Sequence, residues 1–302
     1  MLPNFFIVGA QKSATTTIHE YLVGHPDIYL PQQKETKFFA RDRLFEKGID
    51  YYESEYFEEW RGESAVGEVD PDYMYFENVL DRINKHLDLT NIKFIFILRN
   101  PVDRAFSHYL MTYRRGLEQL SFENAIDQET SRIVGGDFDE KDHYSYVSRG
   151  FYLRQIEFFL KRVDRAQMLF LLTEDLKQDP KSCLKFIYQF LGVSIDYVPE
   201  NIGNNYHGAK VPVSAKLQQR IAGGTTVEKR FLRLFLPKPL REGLRTKLLS
   251  LNQKKGKGHT LSEETRRKLI EIYRSENHRL ESFLGRSLKS WSDLKPAQDG
   301  AK

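Results

Sequence analysis

The sequence predicts an α/β protein built on a parallel β-sheet, and two observations lead there. Apolar runs of strand length recur at Phe5–Val8, Ile92–Leu98 and Met168–Leu172. Between and after them lie stretches of helical periodicity that open on capping residues or Pro and close on Gly. Strand–helix alternation over most of the length requires crossover connections, and those give parallel strands with helices on both faces. No repeat at periods of 20–50 residues is present, so solenoid and propeller architectures are excluded.

The elements follow in order. Phe5–Val8 is the first strand. It turns at Gly9 and Gln11 into a helix over about Ala14–Val23, which the run Gly24-His25-Pro26-Asp27 ends. Ile28–Leu30 is a short extended piece. Val79–Leu87 reads as a helix, and Ile92–Leu98 as a central strand, because a continuous apolar run suits a strand buried on both faces. Pro101 opens the next helix at a position where its missing N–H costs nothing. That helix runs to Arg115 and stops at Gly116. Another helix starts at Ser121, and the Gly-, Asp- and His-rich stretch Ile133–Tyr146 reads as a surface loop. Gly150–Val163 is a helix, Met168–Leu172 a strand, and Pro180–Leu191 a helix closed by Gly192. A long helix covers Ser262–Leu284, with Ser262 as its cap and Gly285 as its stop. Segments 40–66 and 115–147 give no firm pattern beyond this. No domain boundary is evident, so residues 1–302 are expected to form a single domain.

Composition narrows the class. With 302 residues, 40% hydrophobic and 29% charged, the chain is globular and can bury a sizeable core. The aromatic share of 13% suits an aromatic-walled cleft or a large ordinary core. A single cysteine, Cys183, rules out an intrachain disulfide framework and is expected to be a buried structural thiol. The N-terminus enters a strand at once, with no signal-peptide pattern, and no apolar run is long enough to span a bilayer. A cytoplasmic location without an integral membrane segment is therefore expected, unless an anchor has been trimmed from the chain. Net charge of +4 is too mild to call for nucleic acid. It is unevenly spread: 209–258 holds 13 Lys/Arg against 2 Glu, as either a solvated insertion or a basic rim over an anionic ligand.

Two motifs carry chemistry. The first is Gly9-Ala10-Gln11-Lys12-Ser13-Ala14-Thr15-Thr16-Thr17, set between a strand and a helix. That arrangement aims helix N–H groups and the positive dipole end at one spot, to which Lys12 adds a charge and Ser13 and the threonines add hydroxyls. The spacing differs from a Walker A loop, in which the lysine would fall at Thr15. The second is Arg99-Asn100-Pro101-Val102-Asp103-Arg104-Ala105-Phe106-Ser107. Arg99 stands at the carboxyl end of the central strand, and Arg99 with Ser107 can clamp a second phosphate.

Together these motifs resemble the sulfotransferases that use 3'-phosphoadenosine-5'-phosphosulfate (PAPS), nearest the branch containing the heparan sulfate enzymes and bacterial relatives. The resemblance continues through Ser148-Arg149-Gly150-Phe151-Tyr152 to Tyr273, Asn277, Leu280, Gly285 and Trp291, and is weakest over about 195–250. It implies a P-loop NTPase-like fold and PAPS as donor, with 3'-phosphoadenosine-5'-phosphate (PAP) released. By the same resemblance Gln11, Lys12, Ser13, Ala14, Thr15, Thr16 and Thr17 hold the 5'-phosphosulfate, and Arg99 and Ser107 the 3'-phosphate. Lys255-Gly256-Lys257 resembles a loop that closes on the donor. Gln33-Lys34-Glu35-Thr36-Lys37-Phe38-Phe39 matches the family's catalytic segment, implying Glu35 as base and Lys37 as a second functional cation, beside Lys12 at the leaving group. His108 is the rival base, but its position one helical residue after Ser107 aims it elsewhere. Gly67-Glu68-Val69 departs from the heparan-type enzymes, which carry Lys where Val69 stands.

Sulfuryl transfer needs an in-line nucleophile, a proton acceptor and neutralisation of the leaving phosphate, and no metal is obligatory. The acceptor is expected to offer a hydroxyl or amine, on a glycan, glycolipid or natural product, free or carried by a partner protein. An ATP-dependent kinase would want an acidic Mg²⁺ ligand where Arg99 stands. A non-catalytic polyanion binder would use 209–258 and be indifferent to loss of Glu35.

Overall fold

A computed structural model of the chain describes residues 1–203, 211–212, 253–254 and 260–294. Five strands form one all-parallel sheet: β1 (Phe5–Gly9), β2 (Ile28–Tyr29), β3 (Ala65–Val69), β4 (Lys93–Leu98) and β5 (Met168–Leu172), in the order β2-β3-β1-β4-β5. β1 is central. Its neighbours are β3 and β4, the strands before and after the third crossover, so the chain changes sides of the sheet at β1. Open α/β sheets bind ligands beyond the carboxyl ends of their strands at such a point.

Strand alternation explains the layers. Phe94 and Phe96 of β4 face one side, where Phe159 of the helix Tyr152–Leu160 meets both rings edge-on at 5.3 and 5.0 Å. Ile95 and Ile97 face the other side. There they pack with Ile18 and Leu22 of the helix Thr15–Leu22 and with Leu184 and Ile187 of the helix Pro180–Leu191. Helices thus cover both faces, as the sequence predicts.

The chain divides into two compact units. The first is Met1–Arg104, Ser148–Tyr206 and Leu269–Lys302, and holds the sheet. In it Trp291, 1% exposed, donates its indole N–H to Glu174 at 2.9 Å, and its carbonyl accepts from Asn100 at 3.3 Å. A Cβ on Gly150 would lie 2.5 Å from the Tyr273 hydroxyl, so the close approach of that ring demands glycine. The second unit is Ala105–Val147 and His207–Lys268. Its described part packs Tyr109 against Phe106, Phe122 and Tyr146, and pairs buried Glu118 with Arg132 at 2.6 Å. Val211–Pro212 and Gln253–Lys254 pair antiparallel. The rest of the basic 209–258 segment lies outside the described residues.

Several elements match expectation closely. The helix Pro101–Arg115 ends before Gly116, and Gly192 (φ 81°) closes the helix Pro180–Leu191. Ser262 accepts the Thr265 N–H at 3.1 Å to cap the helix Glu263–Leu284, which Gly285 (φ 64°) ends. Cys183 is buried, and burial first, with nearby carboxylates, pushes its thiol up to about 11. Among the described residues no helix is long and apolar enough to cross a membrane.

Two readings need correction. Ile133–Tyr146 is not a loop: helices span Glu129–Ile133 and Phe138–Tyr144, the latter opened by an Asp137/Glu140 capping box. The polar residues there are helix caps and first-turn acids, which mimic loop composition. Segment 40–66, which gave no pattern, contains the helices Asp42–Phe45 and Ile49–Tyr56 and the start of β3.

Candidate active site

The loop after β1 is built tightly. Ala10 donates to Ile97 of β4 at 2.7 Å, and Ser13 donates back to Ala10 at 3.1 Å. Gly9 has no room for a side chain, since a Cβ would lie 2.7 Å from Cβ of Met74. Lys12 (φ 70°) and Ala14 (φ 61°) both adopt the left-handed conformation, which costs a non-glycine residue about 1–3 kcal/mol. The helix Thr15–Leu22 begins with no side-chain cap, leaving its first N–H groups directed at the loop. Ser13 is fully buried, and its hydroxyl has no hydrogen-bond partner among the described residues. An uncapped helix start, an orphaned buried hydroxyl and the half-buried Lys12 suit an anionic phosphate group.

Arg99 directly follows β4 and fixes this loop by donating to the Lys12 carbonyl at 3.2 Å. The Arg99 carbonyl in turn accepts from Tyr152 at 2.8 Å. Burial pushes the Tyr152 phenol up to about 12, which keeps it a donor. Ser107 lies half-buried on the helix Pro101–Arg115. Lys255, Gly256 and Lys257 fall outside the described residues.

The Glu35 loop is held at the carboxyl end of β3. Glu35 (φ 62°) donates its N–H to Val69 at 3.1 Å, and Lys37 (φ 58°) donates its own to Asp70 at 2.7 Å. The Lys37 ammonium lies 3.0 Å from Asp72, whose other oxygen accepts from Arg149 at 2.7 Å. Between them Thr36 donates its hydroxyl to Glu68, which also accepts from Tyr52 and, at 2.9 Å, from Tyr73. Glu35 is paired with Lys34 and remains 38% exposed. Phe38 and Phe39 are wholly buried, in a ring cluster with Tyr52 and Phe45.

The electrostatics of the three acids differ. Burial pushes the Glu68 carboxyl up despite the hydroxyls donating to it. Burial, then the charges of Asp72 and Glu68, push Asp70 well above the usual carboxylate range. Burial acts upward on Asp72 too, but Arg149 and Lys37 outweigh it and hold that carboxyl below the usual range. Three buried histidines, His19, His25 and His108, make packing contacts. His108 is fully buried, with Nε2 3.0 Å from the Asp142 carbonyl. His25 Nε2 lies 2.9 Å from the Ser194 carbonyl, and His19 is buried with its pKa lowered mainly by that burial.

Four non-glycine residues have left-handed backbones among the described residues: Lys12, Ala14, Glu35 and Lys37. All four lie in the two loops singled out from the sequence. The family whose description is "Sulfotransferase domain" matches residues 2–233, more than three-quarters of the chain. The chain belongs to the sulfotransferase family.

Known sulfotransferases place it further. It is 31% identical over 192 residues to mouse heparan sulfate glucosamine 3-O-sulfotransferase 3B1, covering 64% of this chain and 46% of that protein. It is 29% identical over 202 residues to bovine bifunctional heparan sulfate N-deacetylase/N-sulfotransferase 2, covering 64% of this chain and 22% of that one. The chain thus spans less than half the length of these curated relatives. The solved structure of a sulfotransferase from Alicyclobacillus acidocaldarius superposes with a TM-score of 0.70 at 27% identity, covering 97% of this chain and 100% of that one. The sheet is the P-loop NTPase-like sheet of this sulfotransferase fold.

The sequence motifs did not reveal Asp70, Asp72 and Tyr152 as parts of the site, nor the partnership of Asp72 with Arg149. Pairing across 77 positions leaves no local pattern. The available signal was Asp70-Pro71-Asp72 directly after Glu68-Val69, where several acids beside a buried strand end call for cations.

Proposed function

We propose that this sulfotransferase moves a sulfuryl group from PAPS to a hydroxyl or amine of its acceptor and releases PAP, with Glu35 as base. The observation that carries the reading is the backbone strain at Lys12, Ala14, Glu35 and Lys37, gathered at the carboxyl ends of the adjacent strands β1 and β3. Strain of this kind persists where surrounding structure holds side chains in a functional arrangement.

The loop Gln11–Thr17, with Lys12 and the Ser13 hydroxyl, would hold the 5'-phosphosulfate. Arg99 and Ser107 would hold the 3'-phosphate. The acceptor oxygen or nitrogen forms a bond to sulfur as the bond between sulfur and the bridging phosphate oxygen breaks. Glu35 takes the proton that the acceptor loses. Lys12 offsets negative charge growing on the departing phosphate, and Lys37 adds a second cation. The relatives named for glucosamine 3-O- and N-sulfation favour a sugar hydroxyl or amine as acceptor. Val69, buried at 2% exposure where heparan-type enzymes resemble one another in carrying Lys, argues against heparan sulfate itself.

The test is calorimetric titration with PAP beside ADP and ATP-Mg²⁺, in wild type and Glu35→Gln. PAP should bind preferentially and equally to both proteins. Turnover of PAPS with an aminosugar acceptor panel should fall about 10²–10⁴-fold in Glu35→Gln. Preference for ATP-Mg²⁺ would move the protein to the kinases.

A further inference from the structure

We propose that Glu68, Asp70 and Asp72 act as a clamp that holds the Glu35–Lys37 loop in its working conformation. Within it Asp72, itself anchored by Arg149, is the positioning residue for the Lys37 ammonium. This deepens the reading above and rests on it.

The contacts run residue by residue. Val69 takes the Glu35 N–H, Glu68 the Thr36 hydroxyl, Asp70 the Lys37 N–H and Asp72 the Lys37 ammonium. Three consecutive loop residues are gripped by positions 68, 69, 70 and 72 of one segment. Glu68, Asp70 and Asp72 are 1%, 0% and 1% exposed. Burying three carboxylates is costly, and apolar side chains of similar volume commonly serve stability as well or better. Their presence therefore calls for a service other than stability. The loop they hold supplies it: Glu35 and Lys37 both carry strained left-handed backbones that nothing local in their own sequence favours.

Asp72 is the decisive member, because its two oxygens are divided. One meets Arg149 Nη1 at 2.7 Å and the other Lys37 Nζ at 3.0 Å. Arg149 is fixed in its turn, with its guanidinium 4.5 Å over the ring of Tyr75. A carboxylate held by a buried arginine cannot swing, so the lysine it binds has one place to be. Lys37 keeps 21% of its side chain exposed, enough to meet a ligand while its charge is held from behind.

The test compares wild type, Asp72→Asn, Lys37→Met and the double variant. Lys37 reactivity toward an amine-acylating reagent is read by peptide mass spectrometry against exposed Lys185. Turnover is read as PAP released from PAPS with water as acceptor, and PAP affinity by calorimetry certifies the fold. Asp72→Asn should raise Lys37 reactivity about fivefold or more, leave PAP affinity within about twofold and slow turnover about tenfold, while adding no further loss in the Lys37→Met background. Arg149→Gln should change Lys37 reactivity in the same direction by less, which keeps the test available if Asp72→Asn does not fold. Unchanged Lys37 reactivity in Asp72→Asn and Arg149→Gln, or an equal loss of turnover with and without Lys37, overturns the clamp. Normal turnover in Glu35→Gln beside a freed Lys37 instead overturns the base assignment and leaves the clamp standing.

Discussion

At the scale of single residues, the site is a set of charges whose environments push them apart. Asp70 and Asp72 are two positions apart and both buried, yet the first is driven up and the second held down. The difference lies in partners: Asp72 meets two cations, whereas Asp70 accepts backbone N–H groups and faces its neighbours' negative charge. A carboxyl whose folded pKa is raised stabilises the fold below its unfolded pKa, and that contribution is lost as pH rises through the folded value. Melting wild type and Asp70→Asn from about pH 5 to about pH 9 should therefore show the wild type gaining on the variant as pH falls. A gap that stays constant, or widens toward high pH, would contradict the raised Asp70. Asp72 has the opposite sign: its stabilisation is present above the usual carboxylate range and fades only as pH drops through its lowered value.

At the scale of elements, the register of β1 on β3 decides what the site can be. Phe5 pairs with Gly67, Phe6 with Glu68 and Ile7 with Val69. A Cβ on Gly67 would lie 2.1 Å from the Phe5 ring, so this position must be glycine for the strands to pair in this register. Gly67→Ala should destabilise the protein by about 1–3 kcal/mol, read as a lower midpoint in urea. Phe5→Leu in the same chain should recover part of the loss by vacating the ring's space. No recovery would mean that the clash lies elsewhere. The glycine and the buried Glu68 are also why β3 was not legible in the sequence: Ala-Val-Gly-Glu-Val lacks both the continuous apolar run and clean alternation. β1, β4 and β5 have such runs, and their positions were legible to within a residue.

At the scale of the whole molecule, the proposed donor site draws on loops that begin at different strands, so donor binding should stabilise the fold beyond any single contact. With PAP at about 100 times its Kd, linkage alone adds about 2.7 kcal/mol, a melting shift of several degrees. Arg99→Ala should shrink the shift produced by PAP more than the shift produced by ADP, because only PAP carries the 3'-phosphate. Equal losses for both would remove Arg99 from the clamp on that phosphate. The sequence by itself determined the class of sheet, the strand–loop–helix of the proposed phosphate site, and the segment carrying Glu35, because each is written in contiguous residues whose backbone preferences and charges act locally. Only the tertiary structure decided that Asp72 joins Lys37 to Arg149, that Tyr152 ties down Arg99, and that His108 is spent on packing. Those partnerships are made across 35, 77 and 53 positions or by burial, and depend on how parallel strands bring distant segments side by side, which no local pattern encodes.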